Sequence, residues 1–134
     1  MLQSRHLILI VNEVNIMNVT MHLNLETFEF ELADSQVIDE LVSKKKLKVT
    51  MLDHYGRLYE GDLAEAFWSD DLTTRDLVPG NLYYETEGKR LILPYELLKK
   101  MDKHYVHLAA AVDAEAFVAF LKQADQEIIL SCKL

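Results

Sequence analysis

Hydrophobic and polar residues alternate along two short stretches near the start of the chain. Val19 to Asn24 and Phe28 to Leu32 each place an apolar side chain at every second position, which is typical of half-buried strands. The alternation slips by one residue between the two stretches. Because an unbroken strand would then turn its apolar side to solvent, the pattern predicts a hairpin with a tight connection at residues 24–27.

Two later segments have the periodicity of amphipathic helices. The first is predicted from Ser35 to Ser43, with Asp34 and Ser35 as candidate caps and Lys44–Lys46 after its carboxyl end. The second begins at Asp113, and its apolar residues fall at positions i, i+3, i+4 and i+7: Phe117, Phe120, Leu121 and Ala124. Both segments are short, so helices are expected to form a minor part of the fold.

Most of the remaining periodic segments are predicted to be strands. They lie at residues 47–53, 57–60, 82–86, 90–95, 104–112 and 127–133. Residues 6–14 also have the composition of a strand, and residues 96–103 have room for one helical turn. Strands outnumber helices and connect mainly through hairpins, which predicts a mainly β protein, an antiparallel sheet or β-barrel with two short helices. The class would be α+β if the helices were longer than the pattern indicates.

The length and charge of the chain limit its class of partner. Its 134 residues suit a single domain with a substantial core, and its 22 acidic and 14 basic side chains give a formal net charge of −8. Nucleic acid is disfavoured as a partner because phosphate contacts need a basic surface. Residues 53–76 are rich in acids, and they form either a solvated loop or a surface for a basic partner.

The chain has the features of a cytoplasmic protein. Its single cysteine, Cys132, cannot form an internal disulfide, and it lies in an apolar closing run where a small strand residue fits better than a nucleophile. The apolar run from Leu7 to Val11 is too short for a membrane span, and no small-residue cleavage site follows it. We therefore expect a mature cytoplasmic protein with no membrane partner.

The order and spacing of short motifs in residues 19–121 resemble one known family. The motifs are Phe28–Leu32, Asp34-Ser35, Leu41-Val42, Leu47–Asp53, Gly56 and Asp62-Leu63 in the first half, then Gly80, Leu82–Tyr84, Leu91–Tyr95, Tyr105–Leu108 and Asp113–Leu121. Together they are similar to the small bacterial cyclophilin-like domains, single-domain barrels whose roles are largely unassigned. The resemblance implies a cyclophilin-like β-barrel over residues 19–134.

The chain departs from that family's pattern at three places. Lys45-Lys46 stands where members usually have Leu-Pro, and Ala109–Ala111 stands where they usually carry a glycine and a basic residue. Residues 1–18 have no family counterpart and are predicted to form an N-terminal extension strand. Such a strand would either cover an edge of the barrel or pair with a second copy of the chain, which would give a homodimer.

No cluster of residues in the sequence specifies a reaction. Prolyl isomerisation needs an apolar pocket and a cation, normally arginine, but the cyclophilin Phe-His-Arg signature is missing, and Arg57 and Arg90 are interpreted as exposed. His104 and His107 would lie on opposite faces of one strand, so no metal site is predicted. We therefore expect a binding protein without a cofactor rather than an enzyme.

Two sets of residues are candidates for binding. Aromatic side chains with polar tips suit a groove that is apolar within and wet at its rim, and such side chains lie on strands expected to be neighbours: Tyr83, Tyr95, Tyr105 and His107. The alternative is that they form barrel core and rim. The second set lies in the acidic segment 60–76 and comprises Phe67, Trp68, Asp70 and Asp71. It would either bind a protein partner or anchor the loop to the barrel.

The sequence thus predicts a small cyclophilin-like domain that recognises a peptide or small molecule in an aromatic-lined groove. One alternative is an interaction protein, such as an inhibitor or an assembly subunit, that uses the acidic loop at residues 60–76. The other alternative is a peptidyl-prolyl cis-trans isomerase.

Overall fold

Eight strands and two helices make up the described part of the chain. The computed structural model describes residues 17–134. In chain order the elements are β1 (Met17–Leu23), β2 (Glu26–Leu32), α1 (Gln36–Ser43), β3 (Lys46–His54), β4 (Leu58–Asp62), β5 (Asn81–Glu85), β6 (Arg90–Pro94), β7 (Tyr105–Ala111), α2 (Ala114–Gln123) and β8 (Glu127–Lys133).

The strands form one closed antiparallel barrel. Their order around the barrel is β1-β2-β7-β5-β6-β4-β3-β8, and pairing of β8 with β1 completes the ring. Closure leaves every strand with two neighbours, which removes the sheet edges that would otherwise expose unpaired backbone groups. The prediction of a mainly β barrel with two short helices is confirmed.

The first hairpin explains the slip in the hydrophobic pattern. Leu23 pairs with Glu26, so the connection between β1 and β2 is the two-residue turn Asn24-Leu25. Asn24 has a φ of 56°, a left-handed conformation that asparagine tolerates better than most residues. The interior side chains of both strands therefore face the same core, as the sequence predicted.

Both helices begin at the predicted capping residues. The Oγ of Ser35 accepts a hydrogen bond from the Ile38 N–H at 3.1 Å, and the carboxylate of Asp113 accepts one from the Ala116 N–H at 3.1 Å. Their apolar faces pack against the same core as the strands. The largest fully buried side chains of this core are Phe30, Met51, Tyr59, Tyr84, Leu91, Leu93 and Phe117.

A second, smaller apolar cluster lies on the outer surface of the barrel. This outer cluster consists of Leu58, Leu77, Tyr83, Ile92 and Tyr105, with Leu98 and Met101 packed against it. Two connecting segments cover it, and they are joined by backbone hydrogen bonds in both directions between Leu77 and Leu98. The expectation of a helical turn at residues 96–103 is wrong, because Leu98 and Met101 in this segment form backbone hydrogen bonds to Leu77 and Arg75 instead.

The predicted N-terminal extension strand lies almost wholly outside the described residues. Met17 and Asn18 belong to β1, and the rest of the proposed extension, including the possible homodimer contact, stays a prediction. Neither helix within residues 17–134 has both the length and the apolar character needed to cross a bilayer.

Candidate functional site

A surface groove lies beside the outer cluster. It has a volume of about 470 Å³ and is lined by His54, Tyr55, Arg57, Leu58, Leu98 and Met101. We call it the Arg57 groove. Leu58 is a buried member of the outer cluster, so the floor of the groove continues into a packed apolar layer. The groove can therefore desolvate an apolar group without any rearrangement of the barrel.

The β3–β4 turn forms one wall of the Arg57 groove. The Arg57 N–H donates to the His54 carbonyl at 3.3 Å, and the two residues between them, Tyr55 and Gly56, have φ values of 55° and 69°. Positive φ at both central positions is the conformation that type I′ hairpin turns require. Glycine adopts it freely, but a bulky aromatic residue there is strained.

The Tyr55 side chain makes few packing contacts that could offset this backbone strain. Its side chain is 86% exposed, and its one ring contact among the described residues is with His54, at 4.3 Å between centroids. Strained and exposed residues are concentrated at binding sites, where the conformation serves a ligand rather than the core. Tyr55 is therefore a candidate contact residue at the rim of the groove.

The opposite wall is held by hydrogen bonds between the two covering segments. Arg75 donates from Nε to the Met101 carbonyl at 2.5 Å, and the Lys100 N–H donates to the Asp76 carboxylate at 3.0 Å. The backbone around Leu98 and Met101 is thus tied to residues 75–77. This wall is preformed, which lowers the ordering cost of binding.

The structure divides the predicted tyrosine set into two places. Tyr83, Tyr105 and His107 come together on the outer surface, with ring centroids 6.4 Å apart for Tyr83–Tyr105 and 5.7 Å apart for Tyr83–His107. Both tyrosines are buried, and the hydroxyl of Tyr83 accepts hydrogen bonds from Val78 N–H and Asn81 Nδ2. These two tyrosines therefore support the covering segments from beneath.

Burial also shifts the pKa values of Tyr105 and His107. It raises the pKa of Tyr105 to about 12, with a smaller contribution from the nearby Glu85 carboxylate. It lowers the pKa of His107, so the neutral imidazole is favoured. At neutral pH these side chains therefore offer neutral aromatic surface rather than charge.

Tyr95 lies apart from the other predicted ligand residues. Its ring packs against Tyr59 at 5.7 Å on the core side of the barrel wall, and its hydroxyl donates to the Asp53 carboxylate at 2.6 Å. Burial and this hydrogen bond both raise the pKa of Tyr95. The four residues expected to line one groove therefore do not share one surface.

The predicted partner-binding residues also separate into anchors and exposed groups. Phe67 is an anchor, since its ring contacts Tyr84 at 5.8 Å and its N–H donates to the Tyr84 hydroxyl at 2.9 Å. Trp68, the next residue, is 77% exposed. Phe67 therefore anchors the loop to the barrel, and a role of Trp68 in partner contact stays a prediction.

The two adjacent acids tie the loop to the start of α1. The Gln36 N–H donates to the Asp71 carboxylate at 2.9 Å, and the Asp70 N–H donates to the Gln36 side-chain carbonyl at 3.0 Å. Burial acts to raise the pKa of Asp71, but hydrogen bonds from Ser69 and from the first turn of α1 outweigh it and lower the pKa. Asp71 therefore has a structural use at the positive end of the helix.

A second cleft of about 430 Å³ crosses the outside of β3 and β4. Three of its charged residues are paired: Arg90 lies 2.9 Å from Asp62 and 3.9 Å from Glu60. Lys48 also lines the cleft. Within residues 17–134, no group of three acidic, histidine or cysteine side chains is arranged to hold a metal ion. The Arg57 groove is consequently the better candidate for a ligand.

Most residues of this groove were not predicted from the sequence to bind a ligand. Arg57 was interpreted as an exposed residue beside a turn, and it is exposed, but its side chain also lines the groove. A Tyr-Gly pair in a tight turn between two strands was an available signal, because tyrosine is an unusual choice at positive φ. Leu98 and Met101 carried no signal, since their place depends on how residues 96–103 fold back over the barrel.

The closed barrel defines a mainly β protein with a groove on its outer surface. A family model described as the Cyclophilin-like family matches residues 21–133. The chain therefore belongs to the cyclophilin-like family. A search of curated proteins finds no match to it.

Several solved structures have a similar fold. McbB in complex with tryptophan superposes with a TM-score of 0.61 at 11% identity over 86% of this chain, which spans only 44% of the McbB chain. The hypothetical protein AF2241 from Archaeoglobus fulgidus superposes with a TM-score of 0.60 at 14% identity. The match covers 89% of this chain and 95% of the AF2241 chain. A cyclophilin-type peptidyl-prolyl cis-trans isomerase from Cryptosporidium parvum superposes with a TM-score of 0.56 at 17% identity. The match covers 89% of this chain and 98% of the isomerase chain. At these identities the likeness shows the fold alone.

Proposed function

We propose that this cyclophilin-like domain binds a small apolar or aromatic group in the Arg57 groove. The observation that carries the proposal is the pairing of an apolar floor, formed by Leu58, Leu98 and Met101, with a strained and exposed Tyr55 at the rim. The groove volume of about 470 Å³ falls in the range of small-molecule sites. Tryptophan bound to McbB, a protein of similar fold, supports an aromatic ligand.

The proposed binding surface differs from the one predicted from the sequence. The sequence placed the ligand on Tyr83, Tyr95, Tyr105 and His107. We propose instead that Tyr83 and Tyr105 form the support beneath the covering segments, while Tyr55 and Arg57 meet the ligand. The ligand would then contact the side chains that remain accessible.

The test uses a neutral aromatic probe and two adjacent leucines. N-acetyl-phenylalanine amide is titrated into the protein, and binding is followed by saturation-transfer NMR. Leu98→Ala should weaken binding because Leu98 lines the groove, whereas Leu97→Ala should not, because Leu97 is 55% exposed and lies outside the lining. Equal binding by both variants, with both folded by circular dichroism, would refute the assignment of the groove.

Prolyl isomerase activity is a second candidate, favoured by one observation. Arg57 lies beside an apolar groove, and this combination of a cation and an apolar pocket is what the twisted prolyl amide requires. The isomerase of similar fold from Cryptosporidium parvum supports the same proposal. The cis–trans exchange rate of a proline peptide, measured by NMR exchange spectroscopy, should rise with added protein; a rate equal to that in buffer would exclude activity on that peptide.

Protein binding through the acidic loop is a third candidate. Trp68 is 77% exposed and lies on a loop segment that Phe67 and Asp71 anchor on either side. Leu72, the residue after Asp71, is 95% exposed. Exposed aromatic residues on a rigid support are typical contact hot spots. A partner captured by the wild type but not by Trp68→Ala would support this function, and equal capture would oppose it.

We also propose that the protein works in a reducing compartment such as the cytoplasm. Cys132 is buried in β8, and burial raises the pKa of its thiol. A thiol of this kind is a packing residue rather than a nucleophile. Fractionation of cells that express the tagged chain would test the location directly.

A further inference from the structure

We propose that the ligand of the Arg57 groove is a small apolar carboxylic acid, with its carboxylate on the Arg57 guanidinium. This inference rests on the proposed function and adds the chemical class of the ligand. It follows from the pairing of the arginines, the charge of the groove lining and the backbone hydrogen bonding beside the groove.

Arg57 is an arginine without a protein partner in the described part of the chain. Residues 17–134 contain three arginines. Arg75 donates to the Met101 carbonyl, and Arg90 is paired with the Asp62 carboxylate at 2.9 Å. The Arg57 guanidinium has no carboxylate or carbonyl partner among these residues, although its backbone N–H closes the turn. Its five donors are thus available to a ligand.

The lining of the Arg57 groove also contains no acidic side chain, although the chain as a whole is rich in acidic residues. The protein has a formal net charge of −8, yet no aspartate or glutamate lines the Arg57 groove. The Glu60 carboxylate contacts one lining residue, at 3.3 Å from the His54 Nδ1. In the neighbouring cleft, by contrast, Glu60 and Asp62 line the wall beside Arg90. The Arg90 guanidinium of the cleft therefore already has carboxylate partners, whereas no carboxylate lines the groove beside Arg57.

Carboxylate is the anion that best fits both parts of the site. A guanidinium binds a carboxylate through two parallel hydrogen bonds, and these are stronger than neutral ones. The apolar remainder of the ligand would lie on Leu58, Leu98 and Met101, which offer no hydrogen-bonding side-chain group except the weak acceptor of methionine. The ligand thus needs one charged end and one apolar end.

The backbone around the groove favours a small acid over the end of a peptide. Leu58 of β4 pairs with Pro94 on one side and with His54 on the other. Leu77 and Leu98 pair with each other. At these positions the backbone groups are already used, so the groove offers no free strand edge on which a peptide chain could lie.

The experiment compares an acid with its amide. Dissociation constants of 3-phenylpropionate and 3-phenylpropionamide are measured by NMR titration on the wild type, on Arg57→Gln and on Lys133→Gln, which removes a positive charge on β8, away from the groove. We expect the acid to bind the wild type about tenfold more tightly than the amide, as a charge-assisted hydrogen bond predicts. Arg57→Gln should abolish this preference, and Lys133→Gln should preserve it.

Failure of the inference differs from failure of the proposed function. If acid and amide bind the wild type equally, the carboxylate assignment is wrong while the groove still binds an apolar group. If neither compound binds, both proposals are overturned. A third probe, N-acetyl-Ala-Ala-Phe with a free carboxylate, tests the source of the acid, and tighter binding of this peptide than of 3-phenylpropionate would overturn the small-acid assignment.

Discussion

Replacing Tyr55 by asparagine should separate stability from binding. Tyr55 has a φ of 55° and is 86% exposed, so its backbone is strained while its side chain contributes little to packing. Asparagine visits the left-handed region more readily than tyrosine does. Tyr55→Asn should therefore stabilise the fold and at the same time weaken the binding of an aromatic probe.

The size of the stability effect follows from two opposing contributions. A side chain in the left-handed conformation costs about 1–2 kcal/mol, and asparagine relieves part of that cost. The lost ring contact with His54, 4.3 Å between centroids, is solvent-exposed and contributes about 0.5 kcal/mol. The free energy of unfolding should thus rise by about 0.5 kcal/mol, which corresponds to a gain of about 2 °C in Tm.

The assay is urea denaturation followed by far-ultraviolet circular dichroism. Tryptophan fluorescence is a poor reporter here, because Trp68 is 77% exposed in the folded protein. Lys89→Asn is the matched control: Lys89 is exposed and has a φ of 47°, but it lies outside the groove. This control should gain stability and bind the neutral aromatic probe as the wild type does.

Two results would refute this reasoning. A loss of stability in Tyr55→Asn, with a gain in Lys89→Asn, would mean that Tyr55 supports the fold and that its conformation is not a cost. Unchanged probe binding by Tyr55→Asn would mean that the exposed ring has no part in the site.

The remaining predictions concern the framework that positions the site. Gly61→Ala should destabilise the barrel by about 2 kcal/mol in urea denaturation, since a Cβ there would lie 2.5 Å from Val49 Cγ1 and 2.6 Å from the Thr50 carbonyl oxygen. Glu85→Gln should remove a fall in stability as pH rises above 4.5, because burial raises the pKa of Glu85 and the folded state then holds its proton more tightly than the unfolded state. Asp71→Asn should cost about 0.5 kcal/mol at pH 7, because the carboxylate faces the start of α1. That difference should vanish as pH falls below 3.8 through the lowered pKa of Asp71.

Each of these predictions has a control or a contradicting outcome. Gly88→Ala is the matched control for Gly61→Ala, because the three atoms nearest its new Cβ belong to the Glu85 carboxylate, the end of a side chain, and not to backbone; equal losses in the two variants would contradict the close approach at Gly61. A Glu85→Gln variant with the same pH profile as the wild type would contradict the titration of Glu85. A stability difference for Asp71→Asn that does not decrease at all as the pH is lowered through the acid range would show that charge is not its cause.

Much of the fold could be predicted from local pattern. The phase slip after Leu23 predicted the first hairpin, and Ser35 and Asp113 marked the starts of both helices. These signals are local, since alternation, capping and turn chemistry act within a few residues. Tyr83 and Tyr84 belong to different apolar clusters, yet both are buried, which strand alternation alone does not predict.

The candidate site was harder to predict because it depends on long-range packing. Tyr83 points out of the barrel and is nevertheless buried, because residues 74–78 and 98–101 fold over it. Tyr95, one position beyond the end of β6, packs on the core side instead. No local pattern in the sequence specifies these covering segments, so it could not indicate which aromatic residues a ligand can reach.

The most direct test of a ligand site in the Arg57 groove is a chemical-shift map. Uniformly ¹⁵N-labelled protein is titrated with 3-phenylpropionate, and the amide shifts of assigned residues are recorded. The largest changes are expected at residues 54–58 and 98–101, the two walls of the groove. Changes centred on Phe67 and Trp68, or no changes at any concentration, would contradict it.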